Sequence, residues 1–426
     1  MRSSSSLVSR FIRPYFVNNI RLSQSAVREE SSVKTAQLGG EKKLLTVEWP
    51  NGHEESFHIA WLRDSCKCPK CVHPSTYQKL FNPATIDMDA LSPLQISNNG
   101  ESLSITWQEN HSGEQHKSTY PLSWLLKLGG KFNSPITSNK DYPNDGIYQP
   151  IEMPKSVHWN ADIICKLDIA RDYQEIMQSD DHLECVLHDL CTFGISIVKN
   201  SPTEEGTVLR IADRIAYPRV TGYGTSFDVV ASPDPLSHFS YSSQPLEPHT
   251  DLCYRERVPG TQLLHCIRDA DSEGFSLFTD GFQCASLIRA QHPELFQALT
   301  QPVMFSFLDP ERGRWYRERW PVIIVSPNGE LKEVNLSVFS MRPPILPFDK
   351  LEQFYTAFKE FFLQAQSSVN QWKYHLSPGD IAIFNNRRIF HGRTGYDHVK
   401  SKRFLQGCYI DWDEVTAMYE KLRSSH

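Results

Sequence analysis

No apolar run in this chain approaches the roughly 18 residues that a membrane-spanning helix needs, so no membrane span is expected. A basic surplus is missing too. The 44 Lys and Arg face 50 Asp and Glu, a net charge of −6, which argues against nucleic acid as a partner. A disulfide framework is missing: the ten cysteines are mostly scattered singly, as in a reducing compartment. Acidic residues are missing from the first 28 positions, up to Glu29, whereas Arg2, Arg10, Arg13, Arg21, Arg28 and many serines are present. That is the composition of a mitochondrial transit peptide. A polar tail with no address, on a cytoplasmic protein, is the alternative. Internal repeats and low-complexity tracts are also absent.

What is present is enough for two domains: 426 residues, 39% hydrophobic and 22% charged. Residues 1–40 are set aside as transit peptide and linker. Leu44–Trp49, the Pro50-Asn51-Gly52 turn and Glu55–Trp61 read as a β-hairpin. Ser102–Trp107 and Lys117–Trp124 extend a small β-rich unit over 41–132. The stretch 133–154, rich in Pro, Asn, Asp and Gly, reads as a linker. From 155 to 426 helices are expected at Asp180–Leu190, Glu204–Ala216 and Cys284–Gln291, and an amphipathic one carries Leu351, Phe354, Tyr355, Phe358, Phe361 and Phe362. Strands are expected at Gly194–Val198, Leu263–Ile267, Phe275–Thr279, 321–326, 381–385 and 403–410. Mainly β structure with flanking helices points to a double-stranded β-helix, the jelly-roll class.

Cys66, Cys68 and Cys71 place three thiols within six positions. Thiolates bind zinc tetrahedrally and need a fourth ligand to close the site. His73, His111 and His116 are the candidates. His73 is too near Cys71, and His116, on a strand, is preferred. Three free thiols on a loop are the alternative. His249-Thr250-Asp251 offers an imidazole and a carboxylate two residues apart, which an extended backbone turns to one face. His391, on the segment after a buried strand, would complete two histidines and one carboxylate with open positions, the usual set for Fe(II) that activates O2. Arg403 follows His391 by 12 residues (403 − 391) and can hold a carboxylate bidentately.

Ala60–Asp64 with the Cys-x-Cys-x-x-Cys cluster, Pro259–Cys266, Asp280–Phe282, Ser377–Asp380, His391–Arg393 and Tyr409–Asp413 resemble the gamma-butyrobetaine and trimethyllysine dioxygenase family of Fe(II)/2-oxoglutarate oxygenases over about residues 44 to 420. The cysteine triplet and the Asp-Trp-Asp ending resemble the butyrobetaine enzymes more. The resemblance implies iron on His249, Asp251 and His391, 2-oxoglutarate on Arg403, and structural zinc on Cys66, Cys68, Cys71 and His116. It implies ascorbate as reductant and O2 as co-substrate. It places Tyr223, Phe227 and Tyr241, with Tyr409 added, around a small quaternary-ammonium substrate, which aromatic faces must bind because it donates no hydrogen bond.

Two departures stand out. Phe227 occupies a position where both relatives carry Trp, and Asn335–Arg342 lacks their paired asparagines. The implied reaction is hydroxylation of gamma-butyrobetaine to L-carnitine. Trimethyllysine or a related betaine is the alternative substrate, and a zinc-bearing interaction protein with an inactive oxygenase domain is the more distant reading. A homodimer is left open.

Overall fold

The computed structural model describes residues 35–39, 43–110, 113–128, 153–230, 244–269, 274–309, 312–397 and 403–424. The chain divides into two compact units, residues 1–149 and 150–426. In the first, β1 (Thr35–Gly39), β2 (Leu44–Glu48) and β3 (Glu54–His58) form one antiparallel sheet, and β4 (Ser92–Asn98), β5 (Ser102–Gln108) and β6 (Gln115–Pro121) form another. Gly52, at φ +81°, makes the turn that joins β2 to β3. Alternate residues of β2 and β5 point inward, and Trp49, Phe57 and Trp107 fill the core.

Three expectations change here. Thr35–Gly39 lies within the stretch set aside as transit peptide and linker, yet it pairs with β2 along its whole length. Its short polar sequence carries too little alternation to read as a strand. Residues 59–61 are helical, not extended: His58 Nδ1 accepts from Ala60 N and caps a helix over Ile59–Asp64. The strand expected through Trp124 stops at Pro121, where the helix Leu122–Leu128 begins. Most of the expected linker, residues 133–152, lies outside the described residues.

The second unit is the expected jelly roll. Its six-stranded sheet runs β7 (Ala170–Asp172), β8 (Ile195–Lys199), β18 (Ile381–Asn385), β11 (Thr261–Arg268), β20 (Phe404–Ile410), β9 (Ser226–Val230). Its four-stranded sheet runs β10 (Leu246–His249), β19 (Ile389–Arg393), β12 (Ser276–Asp280), β17 (Gln371–Tyr374), and β13 (Pro302–Asp309) with β14 (Arg314–Pro321) and β15 (Ile323–Val325) with β16 (Leu331–Val334) form two separate antiparallel pairs. The inner strands β8, β18, β11 and β20 of the larger sheet are buried on both faces because both are covered. Leu263, Ile381, Ile383, Cys408 and Ile410 pack with the helices Asp180–Phe193, Thr207–Ile215 and Trp412–Ser424. Leu264, Ala382, Phe384 and Leu405 meet Phe278 and Ile389 of the smaller sheet. The expected aromatic helix spans Phe348–Gln366 and buries Phe354 and Phe361 in a further core with Phe390.

His265 shares the helix-covered face of β11 with Leu263. It is fully buried, and neither ring nitrogen has a hydrogen-bond partner among the described residues. Burial, and then Arg210, push its pKa down to about 4. The unfolded chain therefore takes up this proton first. The stability gained from the neutral ring is complete above about pH 6.5 and lost as pH falls through 4, at most about 3 kcal/mol. Unfolding temperature should drop across that window, and His265→Leu should flatten the slope. An unchanged slope in the variant would refute the assignment.

Candidate active site

His249 ends β10 and His391 lies directly opposite it on β19. Their rings are 4.2 Å apart between centroids. Asp251 is not on extended backbone, as expected from its spacing, but in the turn after β10. There Thr250 N donates to Leu336 O, and Leu252, at φ +59°, bends the chain. The turn still brings the carboxylate to the imidazoles: Asp251 Oδ1 is 3.4 Å from His249 Nε2, and Oδ2 is 3.8 Å from His391 Nε2. One ligand atom from each residue lies within 4.8 Å of the others. His249 Nδ1 bonds Glu247 O at 2.8 Å, which leaves Nε2 as the free nitrogen. The donor set and its orientation suit a divalent iron with open positions.

Charge follows the geometry. Burial works to raise the Asp251 carboxyl, but His391, His249 and Tyr409 outweigh it and hold the group well below the usual carboxylate range. Burial, and then His249, push the His391 imidazole down to about 3, so it is neutral and able to bind a metal at ordinary pH. Burial pushes the Tyr409 phenol far above its ordinary value, with Asp251 adding to the shift, so the hydroxyl remains a donor.

A cavity of about 160 Å³ opens beside these residues. Phe227, Gln262, Leu264, Leu405 and Tyr409 line it from the larger sheet, and Leu246, Ser276, His391 and Arg393 from the smaller. Arg403 also lines it. It is 4% exposed, with Nη2 3.5 Å from Ser276 Oγ. Tyr223 and Phe227 meet at 6.4 Å, and Phe227 stacks on Tyr409 at 5.1 Å. Tyr241 lies outside the described residues. Tyr409 does more than wall the cavity, since its hydroxyl donates to Asp251 Oδ2 at 2.7 Å.

Sequence reasoning missed three residues. Gln262 Nε2 donates to the same Oδ2 at 2.9 Å. Asn386 accepts from Asp251 N and donates to Asp251 O. Arg393 also faces the cavity, buried, and burial pushes it down to about 10, so it is still a cation at neutral pH. A signal existed for Arg393, because two residues past His391 on a strand is the same face.

In the amino-terminal unit His116 Nε2 lies 3.3, 3.6 and 3.5 Å from the sulfurs of Cys66, Cys68 and Cys71. Zinc held tetrahedrally at about 2.3 Å from sulfur and about 2.0 Å from nitrogen sets those atoms about 3.5 Å apart, so the four residues fit it. His73 does not join the cluster, and His111 lies outside the described residues. Arg63, 2% exposed, donates through Nη1 to Cys71 Sγ at 3.3 Å and through Nε to Glu109. Without a cation, burial and the neighbouring Cys66 push the Cys71 thiol up to about 12. Three thiolates and one zinc leave a single negative charge, which Arg63 offsets. Arg63→Gln should release zinc to a chromophoric chelator about 10-fold or more faster than the parent, the usual scale for a lost partner of a metal ligand. Equal release rates would refute that role.

The family model described as "Taurine catabolism dioxygenase TauD, TfdA family" matches residues 159–409, and the one described as "Gamma-butyrobetaine hydroxylase-like, N-terminal" matches 36–126. Gamma-butyrobetaine dioxygenase of Pseudomonas sp. (strain AK-1) is 29% identical over 87% of this chain and 91% of its own. Dioxygenase str8 of Strobilurus tenacellus is 30% identical over 97% and 96%. Trimethyllysine dioxygenase, mitochondrial, of Homo sapiens is 27% identical over 88% and 86%. Among solved structures, asparagine oxygenase aligns at a TM-score of 0.43 and 16% identity, over 57% of this chain and 93% of that one, too slight a likeness to bear on the assignment. A TauD-type match over the jelly roll, a butyrobetaine-hydroxylase-type match over the amino-terminal unit and a clustered His-Asp-His set place the chain in the TauD/TfdA dioxygenase family, in its gamma-butyrobetaine and trimethyllysine dioxygenase branch, as an iron- and 2-oxoglutarate-dependent dioxygenase.

Proposed function

We propose that this enzyme hydroxylates a small quaternary-ammonium acid, with gamma-butyrobetaine to L-carnitine as the first reading. The supporting observation is the lining of the cavity. Tyr223, Phe227, Tyr254, Phe307, Phe339 and Tyr409 surround it, and Asp251 is the one acidic residue among the described lining side chains. A trimethylammonium group cannot donate a hydrogen bond and is bound best by aromatic faces. A primary amine would favour a further carboxylate, and the described lining offers only hydroxyls and an amide besides Asp251.

In this reading His249, Asp251 and His391 hold iron, and Arg403 pairs with the far carboxylate of 2-oxoglutarate. Cys66, Cys68, Cys71 and His116 hold zinc. Bound iron supplies O2-dependent hydroxylation coupled to decarboxylation of 2-oxoglutarate to succinate and CO2. The chain's own residues do the positioning. Arg403, buried beside Ser276, gives the co-substrate one orientation. The rings of Tyr223, Phe227 and Tyr409 hold the cationic end, which sets which C–H faces the metal ligands. Apolar Leu246, Leu264 and Leu405 line the same cavity and limit the water in it.

Trimethyllysine is the second reading. The arginine-bearing, acid-free first 28 residues favour a mitochondrial location, and the human trimethyllysine relative is named mitochondrial. Phe227 in place of Trp weakens the cation-binding wall and leaves room for another betaine.

Aerobic incubation of the full chain with iron, ascorbate, 2-oxoglutarate and a panel of trimethylammonium compounds tests the proposal. Gamma-butyrobetaine should stimulate succinate formation and yield a product heavier by one oxygen atom. Faster turnover of trimethyllysine would move the assignment to the second reading, and no stimulation across the panel would end both. His249→Ala should abolish turnover. Arg403→Gln should raise the KM for 2-oxoglutarate about 10- to 100-fold, the loss expected for a charged hydrogen-bonded pair. An unchanged KM would remove Arg403 from that role.

A further inference from the structure

The two oxygens of Asp251 are not equivalent in this fold. Oδ2 receives the Tyr409 hydroxyl at 2.7 Å and the Gln262 amide nitrogen at 2.9 Å. Oδ1 receives neither and lies 3.4 Å from His249 Nε2, nearer than Oδ2 lies to His391 Nε2, at 3.8 Å. Gln262 and Tyr409 are themselves a directly opposed pair on β11 and β20, so the register of the larger sheet sets both donors at once. The orientation of Gln262 is fixed by chemistry, since only its nitrogen can donate to a carboxylate. Its Oε1 is buried with no hydrogen-bond partner among the described residues, so that oxygen supplies no competing anchor.

We propose that Tyr409 and Gln262 are positioning residues that make Asp251 a one-oxygen ligand of the iron. By occupying Oδ2 they leave Oδ1 to turn toward the metal together with the two imidazoles. A carboxylate free to chelate through both oxygens would take up a coordination position that 2-oxoglutarate or O2 needs. The Tyr409 ring also belongs to the cavity wall. It stacks on Phe227 at 5.1 Å with 25° between planes. Phe227 lies on Gly407, where a Cβ would sit 2.4 Å from the ring. The ring that walls the substrate cavity therefore also carries the hydroxyl that sets the metal ligand.

The inference rests on the reading of His249, Asp251 and His391 as ligands but needs no substrate, so it is independent of the betaine assignment. The test is an oxygen-free titration of zinc-loaded, iron-free full-length protein with Co(II), read as affinity and as the visible spectrum that reports coordination number. Tyr409→Phe keeps the ring and loses the hydroxyl. It should weaken Co(II) binding about 10-fold or more and alter the spectrum. Gln262→Leu should shift both in the same direction, which keeps the test sound if Tyr409→Phe fails to fold. Phe227→Leu removes the stack but not the hydroxyl and should keep the parent spectrum. Parent-like binding and spectrum in Tyr409→Phe or Gln262→Leu would overturn the proposal. So would a Phe227→Leu protein that behaves like Tyr409→Phe, since packing rather than the hydroxyl would then be responsible. A parent Co(II) spectrum that survives His249→Ala would overturn the ligand assignment and this inference with it.

Discussion

One side chain ties the two halves of the metal site together. Asn386 accepts from the backbone N–H of Asp251 at 2.8 Å and donates to its carbonyl at 3.1 Å and to that of Pro259 at 3.2 Å. The turn bearing Asp251 is thereby clamped to the turn that leads from β18 of the larger sheet into β19, the strand of the smaller sheet that carries His391. An amide can do this because it offers an acceptor and two donors on one rigid plane. An aspartate or a leucine there would leave part of the buried turn backbone unpaired, a cost of about 1–3 kcal/mol.

That connecting turn is itself anchored. Arg388 makes a two-pronged ion pair with Asp280, at 3.0 and 2.8 Å, and also donates to the carbonyls of Val157 and Thr192. Asp280 meanwhile caps the helix Gly281–Gln291 and accepts from Trp159 N. A buried ion pair is weak evidence for stability in general, but this one is fully hydrogen-bonded, the condition under which burial of charge is offset. Arg387 adds bonds to the Val258 carbonyl. The chemistry sits on strands whose ends are held by side chains that never touch the cavity.

The sequence made the metal sites legible because their residue types are few and their spacing is constrained. His249, Asp251 and His391 cluster in space, as do the three cysteines and His116. The jelly roll was legible for a different reason: strands such as Ile381–Asn385 are apolar throughout because the sheet is covered on both sides. What local pattern could not reveal was the partner of each ligand. Gln262 stands just ahead of the expected strand, and only the register sets it opposite Tyr409. Asn386 gives no local signal, because its partner is 135 positions away. The helix starts at Ile59 and Leu122 were hidden because short amphipathic turns and strands share the same apolar residues.

The bare backbone at Gly407 matters for how this scaffold can diversify. A methyl group there would collide with the ring of Phe227 from the rear and drive it into the space reserved for the guest molecule. Selectivity is thus encoded partly behind the wall, at a position that need never touch what is bound. A lineage could exchange one small guest for another by changing the volume on the far side of that aromatic plate while every residue of the His-Asp-His set stayed the same.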